Sequence, residues 1–253
     1  MTPRAPRIVL FDLDGTLFDH PGAFRRGILA HLAVLGDPFS RLDPDTAVAA
    51  WQEVEDEYFD RYLAGEMDYE EQRRARARGF LAHPGIAPML DAPRALDDEA
   101  ALAWFLGYYE AYRSAWAAYD DMTPALDALE AAVPGIRFGI ITNGELALQQ
   151  RKIDLIGATP RMEHVIASGE LGIAKPDARI FAHAIERFGA EPGDVVYVGD
   201  RIRTDALGAA GAGLAGVWID RDRRGWGGLA ADAAAAGIRR IVSLAELPEL
   251  LSR

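Results

Sequence analysis

Residues 7–11 (RIVLF) form a short apolar run, rich in β-branched and large side chains, that stops abruptly at Asp12-Leu13-Asp14-Gly15. An unbroken run of this length ending in a turn predicts a strand buried on both faces, as in a parallel sheet. From about 20 to about 116 such runs disappear and helical spacing replaces them. Segment 45–63 carries Val48, Trp51, Val54, Tyr58 and Tyr62 at that spacing, and segment 102–116 carries Leu102, Phe105, Leu106, Tyr109 and Trp116. His83-Pro84-Gly85 and Ala92-Pro93 supply breaks between them. This stretch holds 14 of the 23 aromatic residues, enough to predict a helical module with its own core.

From Thr123 onward the pattern becomes βα repetition. Thr123 reads as an N-cap with Pro124 at the first helical position, and that helix closes at Pro134-Gly135. Strand 136–141 follows, then a helix over about 145–156 and a strand near 163–167. A helix opening at Lys175-Pro176 leads to strand 194–198. A Gly/Ala-rich helix near 204–212 leads to strand 214–219. An Ala-rich helix, a strand near 239–242 and a short helix at 244–251 complete the chain. The prediction is an α/β fold: a Rossmann-like parallel sheet with helices on both faces. Residues 1–19 and 117–253 form this core, and an all-helical domain spanning 20–116 is inserted after the first strand.

Composition narrows the function classes. With 253 residues and 50% hydrophobic positions, the chain can bury a substantial core and is not disordered. A net charge of −12 without a useful Lys/Arg block argues against nucleic acid as a partner. There is no cysteine, so thiolate chemistry and Cys-ligated zinc are excluded. The opening MTPRAPRIVLFDLDGTL has too short an apolar run for a signal peptide, and no stretch approaches a membrane span, so a cytoplasmic location is expected. The histidines at 20, 31, 83, 164 and 183 form no metal-spaced pair. The arginines from Arg73 to Arg78 read as an exposed helix face paired with Glu70 and Glu71.

In an open α/β sheet, chemistry collects at the carboxyl ends of the strands. Four such ends carry unusual polar residues. Asp12 and Asp14 leave the first strand on one side, where two carboxylates repel unless a cation separates them or one is protonated. Thr142-Asn143-Gly144 offers a hydroxyl, an amide and helix N–H groups to an anion. Lys175 adds one positive charge, and Gly199-Asp200 to Asp205 adds two more acids. Oxygen ligands of this kind suit Mg²⁺. A lysine beside anion-binding amides suits phosphoryl transfer, and an ionised Asp can act as its nucleophile.

DLDGT, then TNG after an apolar strand, then Lys175-Pro176, then GDRIRTD resembles the haloacid dehalogenase-like hydrolase superfamily over nearly the whole chain. The inserted helices resemble that family's helical cap. The resemblance implies that Asp12 is the nucleophile and Asp14 the general acid/base. Thr142 would bind the phosphoryl group with Asn143 beside it, and Lys175 would steady nucleophile and phosphate. Mg²⁺ would be held by Asp12, the backbone carbonyl of Asp14, and Asp200, with Asp205 orienting a metal-bound water. The dehalogenases lack the second acid of the first motif, so Asp14 favours a phosphatase acting on a small phosphate ester. The segment FGIITNGELALQQRKIDLIG is similar to a subgroup that includes nucleoside 5′-monophosphatases and N-acylneuraminate-9-phosphatases. The rival readings are a phosphoglucomutase-like phosphotransferase and a non-catalytic binding module on the same fold. The sequence leaves the oligomeric state open.

Overall fold

The structure, a computed structural model, describes residues 6–90 and 95–252. They fall into two compact units, one drawn from Met1–His20 with Ala117–Arg253 and the other from Pro21–Trp116.

The first unit is built on six parallel strands: β1 (Ile8–Phe11), β2 (Arg137–Thr142), β3 (Met162–Ala167), β4 (Val195–Gly199), β5 (Ala215–Ile219) and β6 (Arg239–Ile241). Their order is β3-β2-β1-β4-β5-β6, the doubly wound arrangement. Every strand lies within one residue of its predicted bounds. β1 pairs with β2 on one side and β4 on the other, and all four of its residues are buried. The strand order reverses beside β1, which opens a crevice at the carboxyl ends of β1 and β4. Asp12 follows the first of these strands and Asp200 the second.

Ile8, Leu10, Val195 and Tyr197 alternate onto one face and pack against Ile180, Phe181, Ala184 and Phe188 of a single helix. That helix, α8 (Ala178–Phe188), starts at the Asp177 cap and stops at Gly189 in the left-handed region (φ +59°). On the opposite face Phe11 meets Phe138 at a ring separation of 6.0 Å. The remaining helices of this unit are α5 (Met122–Ala132), α6 (Leu146–Leu155), α7 (Ser168–Leu171), α9 (Gly208–Gly211), α10 (Ala230–Ala235) and α11 (Leu247–Ser252).

The second unit contains α1 (His20–Leu35, its first residue lying in the other unit), α2 (Pro44–Leu63), α3 (Tyr69–Ala82) and α4 (Asp98–Ser114). Asp43, Asp68 and Asp97 cap α2, α3 and α4 by accepting backbone N–H groups, which fixes where each helix starts. Trp51 is fully buried, and its ring meets Tyr108 at 4.6 Å, Trp104 at 5.4 Å and Phe80 at 5.8 Å. The helical spacing in 45–63 and 102–116 belongs to α2 and α4, the latter ending two residues early.

Four expectations change. Thr123 does not cap α5, which begins at Met122 after Asp121. The Asp121 carboxylate is committed elsewhere, to Arg221, Ser243 and the Leu244 N–H. The helix expected at 204–212 starts as a π turn over Ile202–Leu207, and the one expected at 244–251 starts as a 3₁₀ turn. Arg76 is not on an exposed face; it is buried and paired with Glu55 at 3.1 Å. Helix α1 lies inside the stretch expected to be helical, although its few aromatic anchors gave it no separate bounds. The Ala92-Pro93 break lies outside the described residues.

Replacing Trp51 by alanine should cost roughly 3–5 kcal/mol, the usual range for a buried large aromatic. Urea denaturation followed by circular dichroism measures this. A change below about 1 kcal/mol would mean that the helical core does not depend on the ring.

Candidate active site

Asp12 is still in register with the sheet, its N–H donating to Val198 O at 2.8 Å. The chain then turns at Gly15, whose φ is +87°. A Cβ there would lie 2.4 Å from Asp200 Oδ2, so the turn brings bare backbone against that acid. Arg221 secures the loop: it pairs with Asp121 and donates to Thr16 O at 2.7 Å.

Lys175 organises the buried part of the site. Its Nζ donates to Asp12 Oδ1 at 2.6 Å, to Asp205 Oδ1 at 2.8 Å and to Tyr197 OH at 2.7 Å. All three of its N–H donors are thereby used. The lysine does not open a helix as expected, because α8 begins three residues later behind its own cap at Asp177. Its charge serves the acids instead. Asn143 grips the backbone of this residue at both ends, accepting from Lys175 N at 2.8 Å and donating to Lys175 O at 3.0 Å.

Asp14 turns to a different partner. Its Oδ1 accepts from Lys152 Nζ at 2.7 Å and its Oδ2 from Gln149 Nε2 at 2.9 Å, both from α6. Gln149 also donates to Thr142 Oγ1. The repulsion expected between Asp12 and Asp14 is therefore relieved by two cations, one for each acid.

The two acids are tuned in opposite directions. Burial raises Asp12, Lys175 lowers it, and the neighbouring Asp205 and Asp14 charges raise it again, leaving it at about 6. Burial also raises Asp14, but Lys152, His20 and the hydrogen bonds from Lys152 and Gln149 outweigh it and hold the carboxyl at about 2. Asp200 is pushed well up, first by burial and then by the Asp12 and Asp205 charges. Lys175 is raised despite its burial, because Asp12 and Asp205 favour the ammonium.

Asp12, Asp200 and Asp205 each offer a carboxylate oxygen within 4.8 Å of the others. Asp200 Oδ1 is buried and accepts no hydrogen bond, which is costly unless a cation completes it. The Asp205 oxygens are both engaged, one by Lys175 and Tyr197 and the other by the Arg201 N–H. Asp12 and Asp200 are thus the freer donors, and an all-oxygen set fits a hard divalent cation. The arrangement can hold an anion beside an aspartate oxygen and neutralise charge on both.

The sheet brings Asp12, Asp14, Thr142, Asn143, Lys175, Asp200 and Asp205, all expected from the sequence, to one end. Gln149, Lys152 and Tyr197 join them without having been singled out by any sequence pattern. One signal could have found Lys152. The chain has only two lysines, 152 and 175, among its 27 basic residues, and both are buried against an acid of the first loop.

Residues 6–213 match the family model for haloacid dehalogenase-like hydrolases. The chain is 29% identical over 248 residues to N-acylneuraminate-9-phosphatase of Rattus norvegicus, covering 97% of this chain and 93% of the relative. It is 28% identical over 219 residues to glyceraldehyde 3-phosphate phosphatase of Methanopyrus kandleri, covering 86% and 85%. Among solved structures it resembles a magnesium-bound HAD-hydrolase of Bacillus subtilis, with TM-score 0.74, 20% identity and coverage of 99% and 100%. That likeness concerns the fold.

Lys175→Met would strand Asp12 and Asp205 without their cation, at an expected cost of roughly 3–5 kcal/mol. Without the ammonium, Asp12 rises further above the roughly 4 of an unfolded aspartate. The folded variant then binds a proton that the unfolded chain does not, so its stability falls as pH rises. Urea melts at pH 5 and pH 8 should show the larger penalty at pH 8. An equal penalty at both would remove Asp12 from the explanation.

Proposed function

The chain belongs to the haloacid dehalogenase-like hydrolase family and is a hydrolase of the phosphatase type; from that premise we propose that it hydrolyses a small phosphate monoester through an aspartyl-phosphate on Asp12. The observation that carries this reading is the Asp12 carboxylate at the strand switch point, held by Lys175 beside the unpartnered oxygen of Asp200.

Asp12 is assigned as the nucleophile. One of its oxygens is held by Lys175 and the other by the weaker contact from Thr16 Oγ1 at 3.3 Å. Thr142 is assigned to the phosphoryl oxygens through its hydroxyl and Lys175 through its charge, its three N–H groups being held by Asp12, Asp205 and Tyr197, with Asn143 keeping the Lys175 backbone in place. Asp14 is assigned as the acid that protonates the leaving oxygen and the base that then activates water. Mg²⁺ would be held by Asp12, Asp200 and the Asp14 carbonyl, with Asp205 outside them. When bound it would neutralise charge on the phosphoryl group. Substrate choice is assigned to the helical domain at 20–116, because the four core loops supply only phosphate and metal chemistry. The relatives are named for different phosphate esters, N-acylneuraminate 9-phosphate and glyceraldehyde 3-phosphate. A phosphate-release screen over sugar phosphates, nucleotides and short organic phosphates tests the reading and finds the substrate.

Asp12→Asn should remain folded and lose turnover altogether, since an amide is a poor nucleophile. Substantial phosphate release by the purified variant would overturn the assignment. Metal affinity should fall as pH drops through about 6, because Asp12 and the raised Asp200 must lose their protons to bind. Calorimetry in buffers of different ionisation enthalpy should record proton release on Mg²⁺ binding at pH 6. Metal binding without proton release would contradict the proposed ligands.

A further inference from the structure

A group that gives up a proton must hold it at one place, and a free aspartate side chain rotates. Asp14 has lost that freedom. Lys152 holds its Oδ1 and Gln149 its Oδ2, at 2.7 and 2.9 Å. The two donors stand three residues apart on α6 and so share one helix face, and both are buried. Gln149 also reaches Thr142 Oγ1, so one side chain links Asp14 to the group assigned to phosphate. The Lys152 ammonium lies 5.1 Å from the centre of the Phe18 ring, a second support from the loop that carries Asp14.

A stabilising ion pair does not account for this arrangement. Burying such a pair gains little over apolar packing, so stability gives no reason to keep one here. Elsewhere the chain uses arginine for every basic position except Lys175. A guanidinium would take both carboxylate oxygens through its fork. An ammonium takes one oxygen and leaves the other to Gln149.

We infer that Lys152 and Gln149 are positioning residues for proton transfer by Asp14, a role that rests on the assignment of Asp14 as the acid/base. Each carboxylate oxygen has two lone-pair sites; the helix donors use one on each, and the others remain for a proton. In the first step the Asp14 proton passes to the ester oxygen as its bond to phosphorus breaks, and the bonding electron pair stays with that oxygen. Asp12 has by then formed its bond to phosphorus. In the second step water attacks phosphorus, Asp14 takes a proton from that water, and the bond from Asp12 to phosphorus breaks. Asp14 stands as a carboxylate before substrate binds. It takes its first proton from a singly protonated phosphate ester, and the proton it later draws from water leaves with the phosphate, so each cycle returns it to the carboxylate.

The test compares Lys152→Met, Asp14→Asn and the double variant on an alkyl phosphate and on nitrophenyl phosphate, with Mg²⁺ present. An alkoxide leaves poorly without a proton, whereas nitrophenolate hardly needs one. Lys152→Met should lower kcat on the alkyl ester about 10²-fold with KM changed less than about threefold, and lower kcat on the aryl ester less than about fivefold. Combined with Asp14→Asn it should cost nothing further on the alkyl ester, because the two act as one unit. Lys152→Arg should fail to restore the alkyl rate, since its fork displaces Gln149. Equal losses on both esters, an effect confined to KM, or a full extra loss in the double variant would overturn the inference. Should Lys152→Met fail to fold, Gln149→Leu takes its place with the same two-ester comparison. An Asp14→Asn protein with unchanged activity would overturn the acid/base assignment itself, and the inference with it. An impaired Asp14→Asn protein beside an unimpaired Lys152→Met protein would overturn the inference alone.

Discussion

One buried ammonium sets the terms for the sheet unit. Lys175 Nζ meets Asp12, Asp205 and Tyr197, groups delivered by the end of β1, the turn after β4 and β4 itself. Asp12 lies 163 residues away in sequence, so the contact exists only when the sheet is assembled in its correct order. Taking a cation and two carboxylates out of water costs several kcal/mol per ion. The cost is offset because every N–H of the ammonium has a partner and the Tyr197 hydroxyl donates its own hydrogen bond to Ile141 O or Asp205 Oδ1. The surrounding loops follow from this demand. Asn143 holds the lysine backbone, and Gly199 lets strand β4 end against Asp205, where a Cβ would lie 2.4 Å from that side chain.

Asp12 and Asp14, two residues apart, occupy different electrostatic surroundings. Asp12 sits among further acids with one shared cation, while Asp14 has a cation nearly to itself. Their protonation equilibria separate by about four units as a result, from about 6 to about 2. One short loop therefore presents two carboxylates of different character, which a single strand exit could not arrange without one cation from α6 and another from the turn ahead of α8.

The strands were legible because each is a short apolar run with abrupt polar ends, a pattern that needs no knowledge of neighbours. Asp12, Thr142, Lys175 and Asp200 were legible for the same reason, since each follows or faces a strand end. Gln149 and Lys152 were not, because a polar residue inside a helix looks the same whether it faces solvent or another loop. Only the placement of β2 beside β1 brings α6 to Asp14. Thr123 and Asp121 illustrate a different limit. Local chemistry allowed either to cap α5, but Asp121 spends its oxygens on Arg221, Ser243 and Leu244, 100 to 123 residues away. Arg76 likewise sits in a run of arginines whose alternation gave no hint that one of them is internal.

The two lysines have a consequence outside catalysis. Both ε-amines are internal, so this chain's accessible surface presents guanidinium groups where most proteins present primary amines. Enzymes and reagents that modify lysine would find no side chain to work on without first reaching the candidate site. Labelling the lysine side-chain nitrogen with ¹⁵N would give only two ammonium resonances, one reporting on Asp12 and the other on Asp14. Both lines would come from the candidate site, with no other lysine to overlap them.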